Sequence, residues 1–202
     1  MAEEKMHTGN IGVIILAAGA SSRLGTPKQL LLYAGKTLVQ HACEAAINAN
    51  AGAVIVVLGA NAGLIQEALN NNAAHTVINT EWQEGIASSI RYGIKTFTEL
   101  NPLAEAVVLM LADQPYVTTS SLKNLIATYQ ATSKHIVASA YGDSFGTPAL
   151  FHKNIFPELL QLTGDAGAKS IIRSHLNEGA FIPFPEGNID VDTAEDYRKL
   201  IG

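Results

Sequence analysis

Residues 11–32 read IGVIILAAGASSRLGTPKQLLL, and this stretch decides the fold that the sequence predicts. It opens with a continuous apolar run over residues 11–16, which is typical of a strand buried on both faces of a parallel sheet. Six small residues follow (17–22, the small-residue loop), and the next charged side chains are Arg23 and Lys28. In parallel α/β sheets, ligands bind at the carboxyl ends of the strands. The loop therefore lies where a ligand site is expected.

The small-residue loop favours an anionic ligand. Because its side chains leave the backbone bare, several N–H groups can point at one anion, as a phosphate chain requires. The guanidinium of Arg23 can donate two hydrogen bonds to phosphate oxygens, and the ammonium of Lys28 can supply a compact positive charge. The phosphate site predicted here comprises Leu16, Ala17, Ala18, Gly19, Ser21 and Ser22. The alternative interpretation is a flexible connector with two solvated cations.

Two familiar phosphate-binding motifs do not match this stretch. A P-loop requires Gly-x-x-x-x-Gly-Lys-Ser/Thr, but Gly25 is followed by Thr26. A dinucleotide fingerprint requires Gly-x-Gly-x-x-Gly and an acidic residue after the second strand. Residues 19–21 read GAS, which lacks the second glycine of the motif, and the second predicted strand ends in LG rather than in an acidic residue.

Strand-like and helical patterns alternate along the chain. Strands are predicted over residues 11–16, 54–58, 75–78, 106–111 and 136–139, and helices over 37–49, 62–70, 85–97 and 118–129. Further on, the pattern indicates a turn and strand within 142–151, helices over 154–162 and 168–176, an extended segment over 181–185 and a helix from Thr193. This order predicts an α/β fold, a three-layer α/β/α sandwich with a mainly parallel sheet. We expect one domain over residues 1–202, with residues 1–9 as a flexible N-terminus.

The composition narrows the functional classes. The chain has 202 residues, 48% of them hydrophobic, and a net charge of -5, which argues against a nucleic-acid partner or an anionic membrane surface. No apolar run approaches the ~20 residues that a membrane span needs. The single cysteine, Cys43, excludes an internal disulfide and a Cys-rich zinc site. These features predict a soluble protein of the reducing cytoplasm.

Two acidic segments are candidates for a metal site. Asp113 follows the apolar run of the fourth predicted strand in the segment LADQP, and Asp190 and Asp192 alternate along DVD, so that both face one side. Magnesium prefers one or two protein carboxylates, with water and phosphate as its other ligands. The alternatives are that Asp113 caps the turn at Pro115, and that the DVD pair only supports the N-terminus of the final helix.

The pattern LAAG-x-S-x-R-x-G-x-x-K resembles that of the MobA-like nucleotidyltransferase superfamily, and most closely the molybdenum cofactor cytidylyltransferases. Six segments carry the resemblance in the family's order: LAAGASSRLGTPKQLLL, NTEWQEGIASSI, LADQP, GTPALF, GDAGAK and DVDTAEDY. The resemblance implies a Rossmann-like nucleotidyltransferase fold with the nucleotide over the carboxyl edge of the sheet. It also implies transfer of a nucleoside monophosphate with release of pyrophosphate, assisted by Mg²⁺ or Mn²⁺.

The resemblance also implies residue roles. Arg23, Lys28 and Asp113 are expected to be catalytic, and Asp192 rather than Asp190 is expected to complete the metal site with Asp113. Gly85 and Ser89 match positions near the nucleoside, and Lys169 in GDAGAK is expected to hold the acceptor's phosphate or the leaving pyrophosphate.

The implied substrates are CTP and a molybdopterin-type acceptor, with transient contact to a molybdoenzyme or its chaperone. LAAG followed by PKQLL resembles the cytidylyl branch, whereas two glycines after LA typify the guanylyl branch, and Ala18 narrows the space for a purine. A phosphate-monoester acceptor has a second pKa of about 6, so it needs no general base at neutral pH. A guanylyltransferase, a glycosyltransferase of related fold that uses a sugar nucleotide, and a non-catalytic nucleotide-binding module remain as alternatives.

Overall fold

The computed structural model describes residues 10–22, 24–69 and 73–202. Arg23 and the expected flexible terminus, residues 1–9, lie outside the described residues. In these ranges, no helix is long and apolar enough to cross a lipid bilayer.

The described residues form nine strands and seven α-helices. The strands are β1 (Ile11–Ala17), β2 (Leu32–Tyr33), β3 (Lys36–Thr37), β4 (Val54–Leu58), β5 (His75–Ile78), β6 (Ala106–Leu111), β7 (Ile136–Tyr141), β8 (Ser144–His152) and β9 (Ala180–Pro183). The helices are α1 (Leu38–Asn48), α2 (Ala62–Ala68), α3 (Ile86–Leu100), α4 (Thr119–Thr132), α5 (Phe156–Leu159), α6 (Ala168–Ser174) and α7 (Ala194–Ile201). Short 3-10 turns lie at Lys28–Leu30, Trp82–Glu84, Lys153–Ile155 and Pro185–Asn188.

Seven of these strands form one mainly parallel sheet in the order β5-β4-β1-β6-β8-β7-β9. Strand β8 runs antiparallel to both of its neighbours, and the other pairs are parallel. In the register of the central strands, Val13 pairs with Val54 on one side and with Val108 on the other. The predicted α/β sandwich with a mainly parallel, Rossmann-like sheet is therefore confirmed.

Strand β1 is buried along its whole length because helices cover both faces of the sheet. Val13 and Ile15 belong to the core shared with α1, α2 and α4, whereas Ile14 and Leu16 belong to the core shared with α3, α5 and α6. Each fully buried side chain of this kind stabilises the fold by about 1.5–3 kcal/mol. This two-sided burial explains why the run shows no polar alternation.

Three of the predicted strands have the observed bounds, whereas the structure differs from the prediction in two other segments. Strands β4, β5 and β6 have the predicted bounds. The helix predicted over 154–162 is too long, since a 3-10 turn and the four-residue α5 form there and α5 ends at Leu159. The chain turns after α5 so that the Gly164 carbonyl accepts a hydrogen bond from the Ala87 amide in α3. The small β2–β3 hairpin was not predicted, and its turn carries Ala34 and Gly35 at φ of 45° and 83°.

His175, in the segment after α6, contacts Glu158 in α5 and Glu178. We expect these contacts to make the free energy of unfolding depend on pH. The His175 Nε2 atom lies 3.0 Å from a Glu158 carboxylate oxygen, and His175 Nδ1 lies 3.5 Å from Glu178. Hydrogen bonding to Glu158 raises the pKa of His175 above its usual 6.5. A pKa raised by folding gives stability that is complete below the unfolded-state value and is lost as the pH rises through the folded-state value.

We therefore expect wild-type protein to lose more unfolding free energy between pH 6 and pH 8 than the His175→Gln variant does. The difference should be below about 1 kcal/mol, because the pair is partly exposed. Urea unfolding of both proteins at the two pH values measures it. Glu158→Gln should flatten the pH dependence in the same way, and parallel curves for wild type and both variants would contradict the assignment.

Candidate active site

A cavity of about 500 Å³ opens at the carboxyl ends of β1 and β6. One wall comes from the loop after β1, a second from the segment after β6, and a third from the segment that opens α3. The residues that line it are Leu16, Ala18, Gly19, Ala20, Lys28, Gln29, Trp82, Gln83, Gly85, Ile86, Ser89, Leu111, Ala112, Asp113, Asp165, Asp190 and Asp192. The cavity lies at the sheet edge where the sequence predicts a site.

Lys28 joins the two acidic segments within this cavity. Its ammonium contacts the Asp113 carboxylate and donates a hydrogen bond to Asp192 Oδ1 over 2.7 Å. Asp113 follows β6, Asp192 precedes α7, and Lys28 opens the turn after the small-residue loop. The fold thus brings together three predicted site residues that are widely separated along the chain.

The electrostatics of this cluster favour a fixed cation. Burial disfavours the Lys28 ammonium, but the charge of Asp113 and the hydrogen bonds to Asp113 and Asp192 outweigh burial and raise the pKa of Lys28 above its ordinary value. Burial, together with the negative charge of Asp113, raises the pKa of the Asp190 carboxyl to about 6. The Asp190 Oδ1 atom is buried and has no hydrogen-bond partner among the described residues.

The same carboxylates fit a divalent metal ion. Asp113 and Asp192 converge on one ammonium, so their oxygens are close enough to share a cation of similar size. Within the described ranges, no group of three or more His, Cys, Asp or Glu side chains is arranged to hold a metal. An ion bound by this carboxylate pair would take its other ligands from water and phosphate, which is how magnesium is usually held.

The final helix does not need the DVD carboxylates as its cap. The Thr193 side chain accepts a hydrogen bond from the Asp196 amide, and Asp196 accepts one from the Thr193 amide. This capping box begins the helix that the sequence predicts from Thr193. Asp190 and Asp192 instead line the cavity. The alternative in which this pair only supports the helix N-terminus is therefore not favoured.

The wall at the start of α3 depends on a glycine and a buried polar network. Gly85 has φ of 119°, and a side chain there would collide with the carbonyl of Gly164, so only glycine fits. Buried Asn79 donates hydrogen bonds to Ser88 Oγ over 2.8 Å and to Ser89 Oγ over 3.1 Å. Ser88 donates to the carbonyl oxygens of residues 81 and 85. Ser89 lines the cavity, and because its Oγ accepts the bond from Asn79, its O–H can still donate to another group.

Among the described residues, four predicted site residues lie outside the lining: Ala17, Ser21, Ser22 and Lys169. Ala17 is buried in β1, and Ser21 accepts a hydrogen bond from the Lys28 amide over 2.9 Å. Ser22 is exposed in a turn, and Arg23 falls outside the described residues. Lys169 is exposed and donates to Ser144 Oγ over 2.7 Å, with its ammonium 5.9 Å from the centre of the Phe145 ring. The structure does not bring Lys169 to the cavity.

Sequence reasoning missed two residues that shape the site. Gln29 is 2% exposed and bonds the small-residue loop from behind, and Asn79 is fully buried beneath Ser88 and Ser89. The sequence offered only their positions as a signal, because Gln29 follows the predicted catalytic lysine and Asn79 follows β5 at the carboxyl edge of the sheet. Neither signal specifies a hydrogen-bond partner.

A bare loop, a lysine and converging carboxylates over the carboxyl edge of a parallel sheet define the class of proteins that bind nucleoside triphosphates for group transfer. The family model "MobA-like NTP transferase domain" matches residues 13–179. The chain belongs to this family of nucleotidyltransferases.

Comparisons with individual proteins cover nearly the whole chain. Nicotine blue oxidoreductase of Paenarthrobacter nicotinovorans is 30% identical over 197 residues, which span 93% of this chain and 95% of that protein. The crystal structure of Rv0371c from Mycobacterium tuberculosis H37Rv has a TM-score of 0.82 at 33% identity, covering 95% of this chain and 97% of that one. A complex of Rv0371C with manganese has a TM-score of 0.79 at 30% identity, covering 95% and 98% of the two chains.

Proposed function

We propose that this protein transfers CMP from CTP to the phosphate of a molybdopterin-type acceptor, Mo-molybdopterin, and releases pyrophosphate. The reaction belongs to molybdenum cofactor biosynthesis, and we expect it in the cytoplasm. The observation that carries the proposal is the contact of one lysine, Lys28, with both Asp113 and Asp192 inside a cavity walled by the small-residue loop.

The reaction forms one bond and breaks one. An oxygen of the acceptor's phosphate attacks the α-phosphorus of CTP, and the bond from that phosphorus to the bridging oxygen of the β-phosphate breaks. The leaving group is pyrophosphate. Because the attacking phosphate is mostly a dianion at neutral pH, no side chain has to remove a proton. Alignment and charge neutralisation are therefore the main requirements.

The residues of the cavity meet these requirements. Lys28 turns from the carboxylates to the phosphate oxygens when nucleotide binds, and the loop amides hold the phosphate chain from the other side. Asp113 and Asp192 would hold Mg²⁺ or Mn²⁺, which neutralises phosphate charge when it is bound. Arg23 is assigned to the phosphates from the sequence pattern alone.

Preference for cytosine rests on the wall around Ala18. This residue is 6% exposed and lines the cavity. We infer that alanine leaves less space for a purine here than glycine would. Ser89 offers a hydroxyl donor, which suits a carbonyl or ring nitrogen of the base. The resemblance of LAAG and PKQLL to the cytidylyl branch supports the same choice.

Calorimetric titration with the four nucleoside triphosphates and Mg²⁺, followed by pyrophosphate release in the presence of molybdopterin, tests the proposal. We expect CTP to bind more tightly than GTP and to support turnover. Equal or tighter binding of GTP would replace the cytidylyl assignment by a guanylyl one. Binding without turnover on any acceptor would indicate a nucleotide-binding module, and consumption of a sugar nucleotide without pyrophosphate release would indicate a glycosyltransferase.

The name of one relative supplies a second candidate, since nicotine blue oxidoreductase is 30% identical to this chain over most of its length. Reduction of an aromatic dye requires an electron donor, so the same preparation should be mixed with NADH or NADPH and an aromatic acceptor. Oxidation of the nicotinamide at 340 nm without any pyrophosphate release would replace nucleotidyl transfer by this activity.

A further inference from the structure

Gln29 packs against the carbonyl side of the small-residue loop and also belongs to the cavity lining. This residue is almost completely buried, at 2% exposure, although glutamine is a polar residue that is mostly exposed in folded proteins. The side-chain amide donates one hydrogen bond to the Ala17 carbonyl over 3.1 Å and one to the Gly19 carbonyl over 3.0 Å. Both of its N–H groups therefore bind loop carbonyls.

Backbone amides bind the other carbonyls of this turn. The Leu16 carbonyl accepts from the Ala112 amide over 3.1 Å, and the Ala18 carbonyl accepts from the Ala60 amide over 3.0 Å. With the two bonds from Gln29, four successive carbonyl groups are held by the protein. Gln29 supplies two of these four contacts from a single side chain.

The opposite side of the same peptide groups faces the cavity. The amide N–H groups of Gly19 and Ala20 have no hydrogen-bond acceptor among the described residues, and both residues line the cavity. A peptide group that turns its carbonyl to the protein turns its N–H the other way. The Gly19 carbonyl that Gln29 holds shares its peptide group with the Ala20 N–H, so Gln29 fixes the direction of that donor. The Gly19 N–H shares its peptide group with the Ala18 carbonyl, which the Ala60 amide holds.

The loop is also joined to Lys28 through Ser21. Ser21 lies at φ of 55°, its hydroxyl is 3.5 Å from Gln29 Oε1, and its Oγ accepts a hydrogen bond from the Lys28 amide over 2.9 Å. The hydrogen bonds of Gln29 and Ser21 therefore connect the loop donors to the backbone of the lysine that meets the carboxylates.

We infer that Gln29 is a positioning residue for the triphosphate, which it serves by holding the loop carbonyls away from the cavity and the loop amides toward it. This inference rests on the proposed function, because it assumes that the cavity receives a polyphosphate. An amide suits this position because it is neutral and donates twice, whereas a carboxylate would set an acceptor against two carbonyl oxygens. A hydrocarbon of similar length would leave both carbonyls unpaired.

The test uses Gln29→Glu and Gln29→Met in the full chain, with Gln40→Met as the matched control. Gln40 is a partly buried glutamine that, like Gln29, donates to a backbone carbonyl, that of Ala68 over 2.9 Å, but it lies outside the cavity lining. The binding probe is inorganic tripolyphosphate with Mg²⁺, measured by calorimetry, so the result does not depend on the base or the acceptor. Circular dichroism and thermal unfolding show whether each variant is folded.

We expect both Gln29 variants to bind tripolyphosphate at least about tenfold more weakly than wild type, as loss of two hydrogen bonds predicts, and Gln40→Met to bind it normally. In turnover assays, KM for CTP should rise more than kcat falls, and the ratio of CTP to GTP affinity should stay unchanged. A purely structural role would lower the folded fraction and kcat while KM stayed the same, and that pattern, or equal tripolyphosphate binding in a folded variant, would overturn the assignment. If wild type itself does not bind tripolyphosphate, the phosphate site fails and the assignment of Gln29 fails with it, whereas a wrong base or acceptor leaves this test intact.

Discussion

Asp113→Asn is expected to lower kcat for pyrophosphate release by about 10²–10³-fold, the loss typical when one preorganised electrostatic contact is removed. Asp113 is 7% exposed, follows β6, and contacts the Lys28 ammonium through its carboxylate. Asparagine keeps the shape of the side chain but has no charge with which to hold a divalent cation or orient the ammonium. Steady-state assays at saturating CTP and Mg²⁺ measure the effect.

Two comparisons make this result specific. Glu99→Gln removes an exposed carboxylate at the far end of α3, outside the cavity lining, and should leave kcat unchanged. Asp192→Asn should lower activity more than Asp190→Asn, because Asp192 shares the Lys28 ammonium with Asp113. Full activity in Asp113→Asn would remove the metal site from the proposal, and a larger loss in Asp190→Asn would exchange the roles of the last two residues.

The sequence predicts the fold well where burial alone decides the pattern. Strands β1, β4 and β6 are covered on both faces, so they appear as apolar runs whose ends can be located to within one residue. Since ligands gather at the carboxyl ends of such strands, the positions of Leu16 and Asp113 also follow from the pattern. Local apolar spacing did not predict that α5 is only four residues long, because the segment after it bonds to α3 through Gly164, a contact between parts of the chain that are far apart in sequence.

The site could be predicted less completely because its geometry depends on pairing across the chain. Lys28 and Asp192 are 164 positions apart in the sequence but form a hydrogen bond. The sequence predicts only that both lie near the carboxyl edge of the sheet. Gln29 and Asn79 act through hydrogen bonds to atoms that are identified only once the chain has folded. The position of Lys169 beside Ser144 likewise depends on how the β7–β8 hairpin meets α6.

Lys28→Met is expected to lower turnover and, at the same time, to strengthen metal binding in the absence of nucleotide. The Lys28 ammonium lies between Asp113 and Asp192, so without a metal it neutralises the position that a divalent ion would take. Charges about 4 Å apart near a protein surface interact by about 4 kcal/mol, so removal of the ammonium should raise Mn²⁺ affinity by at least about tenfold. Electron paramagnetic resonance of free Mn²⁺ during a titration measures this affinity directly.

CTP should reverse the order of Mn²⁺ affinity, so that wild type binds Mn²⁺ more tightly than Lys28→Met does. Wild type is expected to bind Mn²⁺ better once CTP is present, because the ammonium then moves to the phosphates and the carboxylates are released to the metal. Lys28→Met lacks the cation that attracts the phosphates, so CTP should raise its Mn²⁺ affinity much less. Lys36→Met is the control, since Lys36 is an exposed lysine paired with Glu44 and should change neither affinity. If Lys28→Met binds Mn²⁺ no better than wild type without nucleotide, the ammonium does not compete with the metal, and the carboxylates must hold the two cations at separate places.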